Sequence, residues 1–219
     1  MQKFDMLVFL GNPGSVYAKN RHNAGRFLAE RFSFPLYWTN KFKGLFSSLP
    51  GGAFTSEFVA ETEAPYLDRL SVAPAPRLSG AIYFLEPETF MNLSGQSVQA
   101  AAAFYKISPE HILVVHDELE LPLGQAAFKF SGGLGGHNGL RSIKASLGTA
   151  DFWRLRIGIG RPAGDKASAD ISSWVLSNFS PDELPVLDRV LTTCAAALEK
   201  AIVLGPADLL PEWNKKKIA

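Results

Sequence analysis

The sequence predicts one α/β domain, on three observations. Length and composition come first: 219 residues, 47% hydrophobic and 20% charged, suffice for one domain with a sizeable core. Short apolar runs at 6–10 and 112–115 have the length and continuity of buried strands. Helical signals separate such runs: Phe27, Leu28 and Phe32 are helically spaced from Ala24 onward, and S-V-Q-A-A-A-A-F-Y-K at 97–106 is a helix by propensity.

In chain order, the first apolar run stops at G-N-P-G (11–14), a turn sequence. His22 and Asn23 sit where the next helix begins, so Asn12 and His22 are both expected near the C-terminal end of strand one. Residues 34–80 are the least readable. Within and after them, 53–60 is a candidate strand and 81–85 another, and Pro65, Pro74 and Pro76 mark a long surface excursion between. P-E-T-F-M-N-L-S-G (87–95) then leads into the helix, which places Phe90, Met91 and Asn92 on a strand-to-helix loop.

The stretch 111–142 carries the most chemistry. Its apolar strand delivers His116, Asp117 and Glu118 at the C-terminal end, where open α/β sheets place their ligands. Residues 125–130, with Lys129, read as a second strand. Five glycines in the eight residues 132–139 accompany His137 and Asn138 in a loop that opens into a helix at 140–147. Residues 153–160, W-R-L-R-I-G-I-G, alternate as a strand with Arg154 and Arg156 on one face. A polar loop follows at 164–169. Ser180-Pro181-Asp182-Glu183 has the form of a capping box with proline at the first helical position; the helix runs to about Leu204, and Pro185 leaves its start open. The tail, 215–217, is basic.

Several function classes fall away. A net charge of +1 excludes a general nucleic-acid coat and leaves room for a local basic face. The single cysteine, Cys194, excludes an internal disulfide framework and sits in an apolar helical context as filler. Residues 1–5 are polar and the run after them is too short for a signal, so a soluble cytoplasmic protein is expected. No H-E-x-x-H, H-x-H or C-x-x-C spacing exists, and strand alternation turns Asp117 away from His116 and Glu118, so no metal ligands are assigned. His111 and His116 flank a buried strand and read as structural. No G-x-S-x-G or Walker A sequence is present, and Ser94 reads as a helix cap. Gly158-x-Gly160-x-x-Ala163 mimics a dinucleotide fingerprint, but Pro162 leaves no helix to receive a pyrophosphate. What remains is hydrolysis by a histidine–carboxylate pair. His22 would be the base, Asp117 would fix its tautomer, and asparagine amides would donate to a developing oxyanion.

Four motifs, G-N-P-G-x-x-Y-x-x-x-R-H-N-A-G (11–25), T-F-M-N-L-S-G (89–95), H-D-E-L-x-L-P (116–122) and G-G-H-N-G-L-R-S (135–142), closely resemble the bacterial peptidyl-tRNA hydrolase family. F-W-R-L-R-I-G-I-G-R-P (152–162) and G-D-K (164–166) continue the match. The resemblance implies a single α/β domain with a mixed central β-sheet flanked by helices. It implies cleavage of the ester between a blocked peptide and the terminal ribose of tRNA, with no metal or other cofactor, by a monomer needing no protein partner or membrane. By motif, His22 corresponds to the catalytic base and Asp117 to its partner, while Asn12 is similar to the asparagine that tells peptidyl- from aminoacyl-tRNA. Tyr17, Phe90, Asn92 and Asn138 resemble the substrate-contacting set. Met91 would line the same cleft, and His137 would lie near the entry for the tRNA end.

The chain departs from that pattern twice. The region within 47–85 is longer by roughly twenty residues, an insertion that a surface loop accepts at little entropic cost. Ala127 stands where the family often carries a second lysine, so tRNA binding would lean on Lys129, Arg156, Lys166 and the tail. Two rival readings stay open: a non-catalytic RNA-binding protein, and an esterase with Ser94 as nucleophile.

Overall fold

β1 (Met6–Phe9) is buried along its whole length because it lies between two parallel neighbours, β4 (Ala81–Pro87) and β5 (Ile112–Glu118). A strand covered on both faces must be apolar at every position, which is why the run shows no alternation. The computed structural model describes residues 4–53, 80–162, 171–205 and 212–219. Among them one mixed sheet of eight strands forms in the order β2-β3-β4-β1-β5-β7-β6-β8. Here β2 is Thr39–Lys41, β3 Gly44–Pro50, β6 Gln125–Phe130, β7 Trp153–Gly158 and β8 Lys216–Lys217. The central β4, β1, β5 and β7 run parallel, and antiparallel strands close both edges.

The pleat sorts the core. Leu7, Phe9, Leu113 and Val115 face α1 (Ala24–Ala29) and α5 (Leu184–Leu204), packing on Leu28, Leu191 and Leu198. Met6, Val8, Ile112 and Val114 face α2 (Ser94–Tyr105) and α3 (Asn138–Leu147), packing on Val98, Leu140 and Ile143. Each such side chain removed from water contributes roughly 1.5–3 kcal/mol, so a one-residue slip in register would exchange two well-packed faces at once.

Two glycines set how closely helices approach. A Cβ on Gly25 would lie 2.6 Å from the carbonyl oxygens of both Leu10 and Val115, so α1 rests directly on β1 and β5. A Cβ on Gly95 would lie 2.1 Å from the Ser142 carbonyl oxygen, so α2 and α3 cross backbone to backbone. Both glycines belong to the motifs noted above, and both brace the segments that carry polar residues to the C-terminal edge of the sheet.

Several local expectations are corrected. The β2–β3 hairpin was not legible: its two-residue turn, Phe42 and Lys43 with φ near 55°, lacks the Asn-Gly signature that usually announces such geometry. The candidate strand at 53–60 lies outside the described residues after position 53, which closes a 3₁₀ turn (Gly51–Ala53). Ser94 is no cap. It is the first residue of α2, and its hydroxyl donates 2.9 Å back to the Met91 carbonyl rather than accepting from a free helix N–H. The final helix starts at Leu184, not at Pro181, with Pro185 in the first turn where its missing N–H costs nothing. Half of the capping box survives: the Ser180 N–H donates to Glu183 Oε2 at 2.7 Å. The basic tail pairs with β6 as an edge strand. The polar loop at 164–169 lies outside the described residues.

Candidate functional site

Asn12, His22, Met91, Asp117 and His137 converge because β1, β4 and β5 end side by side at one edge and the turns after them fold inward. Asp117 is the hub. It is 3% exposed, at the end of a strand whose neighbours are all buried, and its Oδ1 accepts from His22 Nδ1 at 2.8 Å and from His137 Nε2 at 3.0 Å. The neighbours of Asp117 on the strand are not remote from the site: the His116 ring lies 4.9 Å from that of His137, and Glu118 borders the same cavity as Asp117.

The hydrogen bonds settle both tautomers. His137 precedes α3 as its N-cap, and its Nδ1 accepts from the backbone N–H of Gly139 (3.1 Å) and Leu140 (3.4 Å). Its one ring proton is therefore on Nε2, donated to Asp117. His22 Nδ1–H likewise donates to the carboxylate, which leaves Nε2 as the lone-pair nitrogen. The two rings lie 4.9 Å apart.

The electrostatics follow from this placement. Burial works to raise the pKa of Asp117, but the two imidazoles that surround it outweigh burial and hold the carboxyl far below its ordinary range. For His22, burial works to lower the pKa, while the charge of Asp117 and the hydrogen bond to it win and raise it above 6.5. His116 moves the other way. It is fully buried, with His137 beside it, and its pKa falls well below the usual imidazole value, so it stays neutral and structural.

The spacing of residues along the sequence held no metal-ligand pattern, yet His22, Asp117 and His137 form a cluster whose donor atoms lie within 4.8 Å of one another. These donors fit a cation badly. His137 Nε2 carries the proton that its capping role forces there, so a cation could use that nitrogen only by undoing the start of α3.

Asn12 is held in one orientation. Its Oδ1 accepts the Met91 N–H at 2.8 Å, so the Nδ2 amide group is the part free to donate into the cleft. Its backbone is pinned by Asn23, which accepts the Asn12 N–H at 2.8 Å and donates to the Asn12 carbonyl at 3.0 Å. Met91 is buried, with its sulfur against Gly139, while Asn92 is exposed beside it. Tyr17 and Phe90 meet edge to face, with centroids 6.4 Å apart, and form an aromatic rim. These residues, with His22, Asn138, Ser172, Val175 and Leu176, line a cavity of about 330 Å³. A second cavity of about 400 Å³ shares His22 with it and is bounded by Asp117, Gly135, Gly136, His137 and Arg141 among others.

The remaining predicted residues are more dispersed. Lys129 is exposed on β6, opposite Arg154 on β7, and burial together with Arg154 and Arg156 lowers its pKa. Arg156 is not a free cation, since its Nε donates to Glu118 Oε2 at 2.8 Å. Lys166 lies outside the described residues. Ala127 pairs with Arg156 and is buried, in the place where the expected second lysine would stand.

Three contributors escaped the sequence reading. Asn23 was noted only for its position. α4 (Ile171–Val175) and Leu176 supply one wall of the cleft. Arg21 bolts that wall down: it makes two bonds to Glu183 (3.0 and 2.7 Å) and one to Ser177 (3.1 Å), and its guanidinium lies 3.8 Å from the Trp174 ring centroid. Its place beside His22 in R-H-N-A-G was the only signal available.

The family described as peptidyl-tRNA hydrolase matches residues 6–219. The chain is 42% identical over 219 residues to a Treponema pallidum peptidyl-tRNA hydrolase, covering 97% of this chain and 96% of that one. It is 46% identical over 210 residues to one from Neisseria meningitidis, covering 96% and 93%. The crystal structure of peptidyl-tRNA hydrolase from Acinetobacter baumannii superposes with a TM-score of 0.76 at 33% identity, covering all of this chain and 98% of that one. The chain belongs to the peptidyl-tRNA hydrolase family.

Proposed function

We propose that the chain hydrolyses the ester between an N-blocked peptide and the 3′-terminal ribose of tRNA, by water activated at His22. The observation that carries the mechanism is the sharing of one Asp117 oxygen by two imidazoles, which leaves His22 Nε2 unprotonated at the meeting point of two cavities. Water on Nε2 gives up a proton as its oxygen attacks the ester carbonyl. The imidazolium is held beside ionised Asp117, and Asn12 Nδ2, with Asn92 and Asn138 nearby, donates to the oxyanion. Collapse expels the ribose oxygen, which takes the proton back from His22. The products are a peptide acid and free tRNA. His137, on this reading, holds Asp117 in place as well as bordering the tRNA end.

The same reading takes 1–219 as one domain, acting without a metal as a cytoplasmic monomer. It places the extra length within 47–85 between β3 and β4, whose pairing of Pro50 with Ala81 brings the ends of any insertion together. Among the described residues no helix is long and apolar enough to cross a membrane. The direct test is release of N-acetylated amino acid from acetyl-aminoacyl-tRNA by purified protein. Release at the same rate from unblocked aminoacyl-tRNA, or no release from either, would overturn the reading.

For tRNA, Lys129 is an exposed cation of the proposed set, as are Lys215 and Lys217 of the tail. Arg154 lies beneath the glycine loop, one nitrogen donating to the Gly133 carbonyl at 2.7 Å and two without partners among the described residues, which makes the surroundings of Lys129 favourable to an anion. Lys129→Ala is expected to raise KM more than it lowers kcat and to flatten the salt dependence of binding, since fewer counterions are released. An unchanged salt slope would remove Lys129 from the phosphate contacts.

A further inference from the structure

We infer that His22 divides the cleft into a peptide lobe and a nucleotide lobe, and that Arg141 and Arg161 bind the phosphodiester preceding the terminal nucleoside of the tRNA. The inference rests on the ester hydrolysis proposed above. An ester attacked by water on His22 has its carbonyl at that residue, so the acyl chain runs to one side and the ribose to the other. The two cavities share His22, Asn138, Ser172 and Val175 and otherwise differ in chemistry. Among the described residues the smaller is lined by asparagine amides, aromatic rings and aliphatic side chains and by no Lys, Arg, Asp or Glu, which suits a peptide backbone. The larger contains Arg141 and Arg161.

The two carboxylates that line that larger lobe among the described residues are already engaged. Asp117 accepts from two imidazoles, and Glu118 accepts from Arg156 at 2.8 Å and from the Glu120 N–H at 3.1 Å. Arg161 is ion-paired with Glu120, an exposed residue. The exposed guanidinium of Arg141 has no partner among the described residues and lies over Gly136, where a Cβ would come 3.9 Å from Nη2. Among the described residues the uncompensated charge of the lobe is therefore positive. At about 400 Å³ the lobe can admit a nucleoside-sized group, small-molecule sites spanning roughly 300–1,000 Å³.

The direction of exit agrees. Arg141 stands at one end of the glycine loop and Lys129 at the other, where a Cβ on Gly132 would lie 3.3 Å from Lys129 Cε. A strand leaving the ribose side of His22 thus meets Arg141 first and the Lys129 region afterwards. Arg141 and Arg161 would read the presence of a phosphodiester next to the scissile ester.

The test compares N-acetyl-aminoacyl esters of adenosine and of the trinucleotide cytidylyl-cytidylyl-adenosine, which differ in the phosphodiesters. Arg141→Ala is expected to lower the kcat/KM preference for the trinucleotide ester roughly tenfold, the value of one charge-assisted hydrogen bond. Arg141→Lys should recover part of that preference, and Arg161→Ala should lower it less, since Arg161 is shared with Glu120. Lys144→Ala, which removes a charge from an exposed turn of the same helix, should keep the parent preference. Equal losses on both esters, or an unchanged preference in both arginine variants, would overturn the inference. If the parent cleaves acetyl-aminoacyl-tRNA and both short esters while the arginine variants keep its preference, only this inference fails; if the parent cleaves none of the three, the hydrolase reading fails with it.

Discussion

His22→Ala is expected to lower kcat on the order of 10³ with little change in tRNA affinity, because it removes the base and leaves the phosphate contacts alone. Asp117→Asn keeps an oxygen for both imidazoles and removes the charge, and a kcat loss on the order of 10² is expected. The pH profile separates this role from a structural one. A base works when neutral, so activity rises as pH passes through the His22 pKa. Burial alone would set that limb below 6.5; Asp117 more than offsets burial and places it above. Asp117 itself stays ionised across this range, since its own pKa is held far lower. Asp117→Asn should therefore shift the acid limb downward while lowering its plateau, measured on acetyl-aminoacyl-tRNA with chemistry rate-limiting. If the two residues act as one unit, the double variant should cost little more than His22→Ala. Fully multiplicative losses would place Asp117 outside proton transfer.

Asn12→Asp is the second large effect, a fall in kcat on the order of 10² or more. The substitution is isosteric and keeps an acceptor for the Met91 N–H, which is the bond that orients Asn12. It replaces the Nδ2 donor by a carboxylate oxygen facing the charge that develops in the transition state. It also sets an anion near His22, which moves the acid limb upward, opposite to Asp117→Asn. Asn12→Ala loses the donor without adding repulsion, so the aspartate should be the worse enzyme although it fits the site better. Thermal unfolding would verify that both variants fold. An aspartate variant with kcat near the parent would mean that Asn12 does not donate to the oxyanion.

The helices and central strands were legible because their signals are local. The unbroken apolar run of β1, the β-branched start of β5 and the propensity of α2 each encode a covering on particular faces within a few residues. The polar motifs were legible too, since each sits where a strand must end, and a parallel sheet gathers strand ends at one edge. The β2–β3 hairpin was not, as nothing in Phe42-Lys43 favours φ near 55°; tertiary pairing to β4 imposes it.

By itself the sequence determined which residues could do the chemistry: a histidine and an aspartate at strand ends, asparagines beside them and an exposed lysine. Only the tertiary structure decided what each of them is. His22 and Asp117 are 95 positions apart, and the parallel register of β1 with β5 sets their 2.8 Å contact. The N-cap geometry of α3 puts the proton of His137 on the nitrogen facing Asp117, which makes that residue a second clamp on the carboxylate. The Met91 N–H points Asn12 Nδ2 toward the cleft, and Glu118 takes up Arg156 while the Arg141 side chain has no partner among the described residues. Tautomer, amide orientation and charge pairing depend on partners within about 3 Å in space, and no spacing along a chain encodes those.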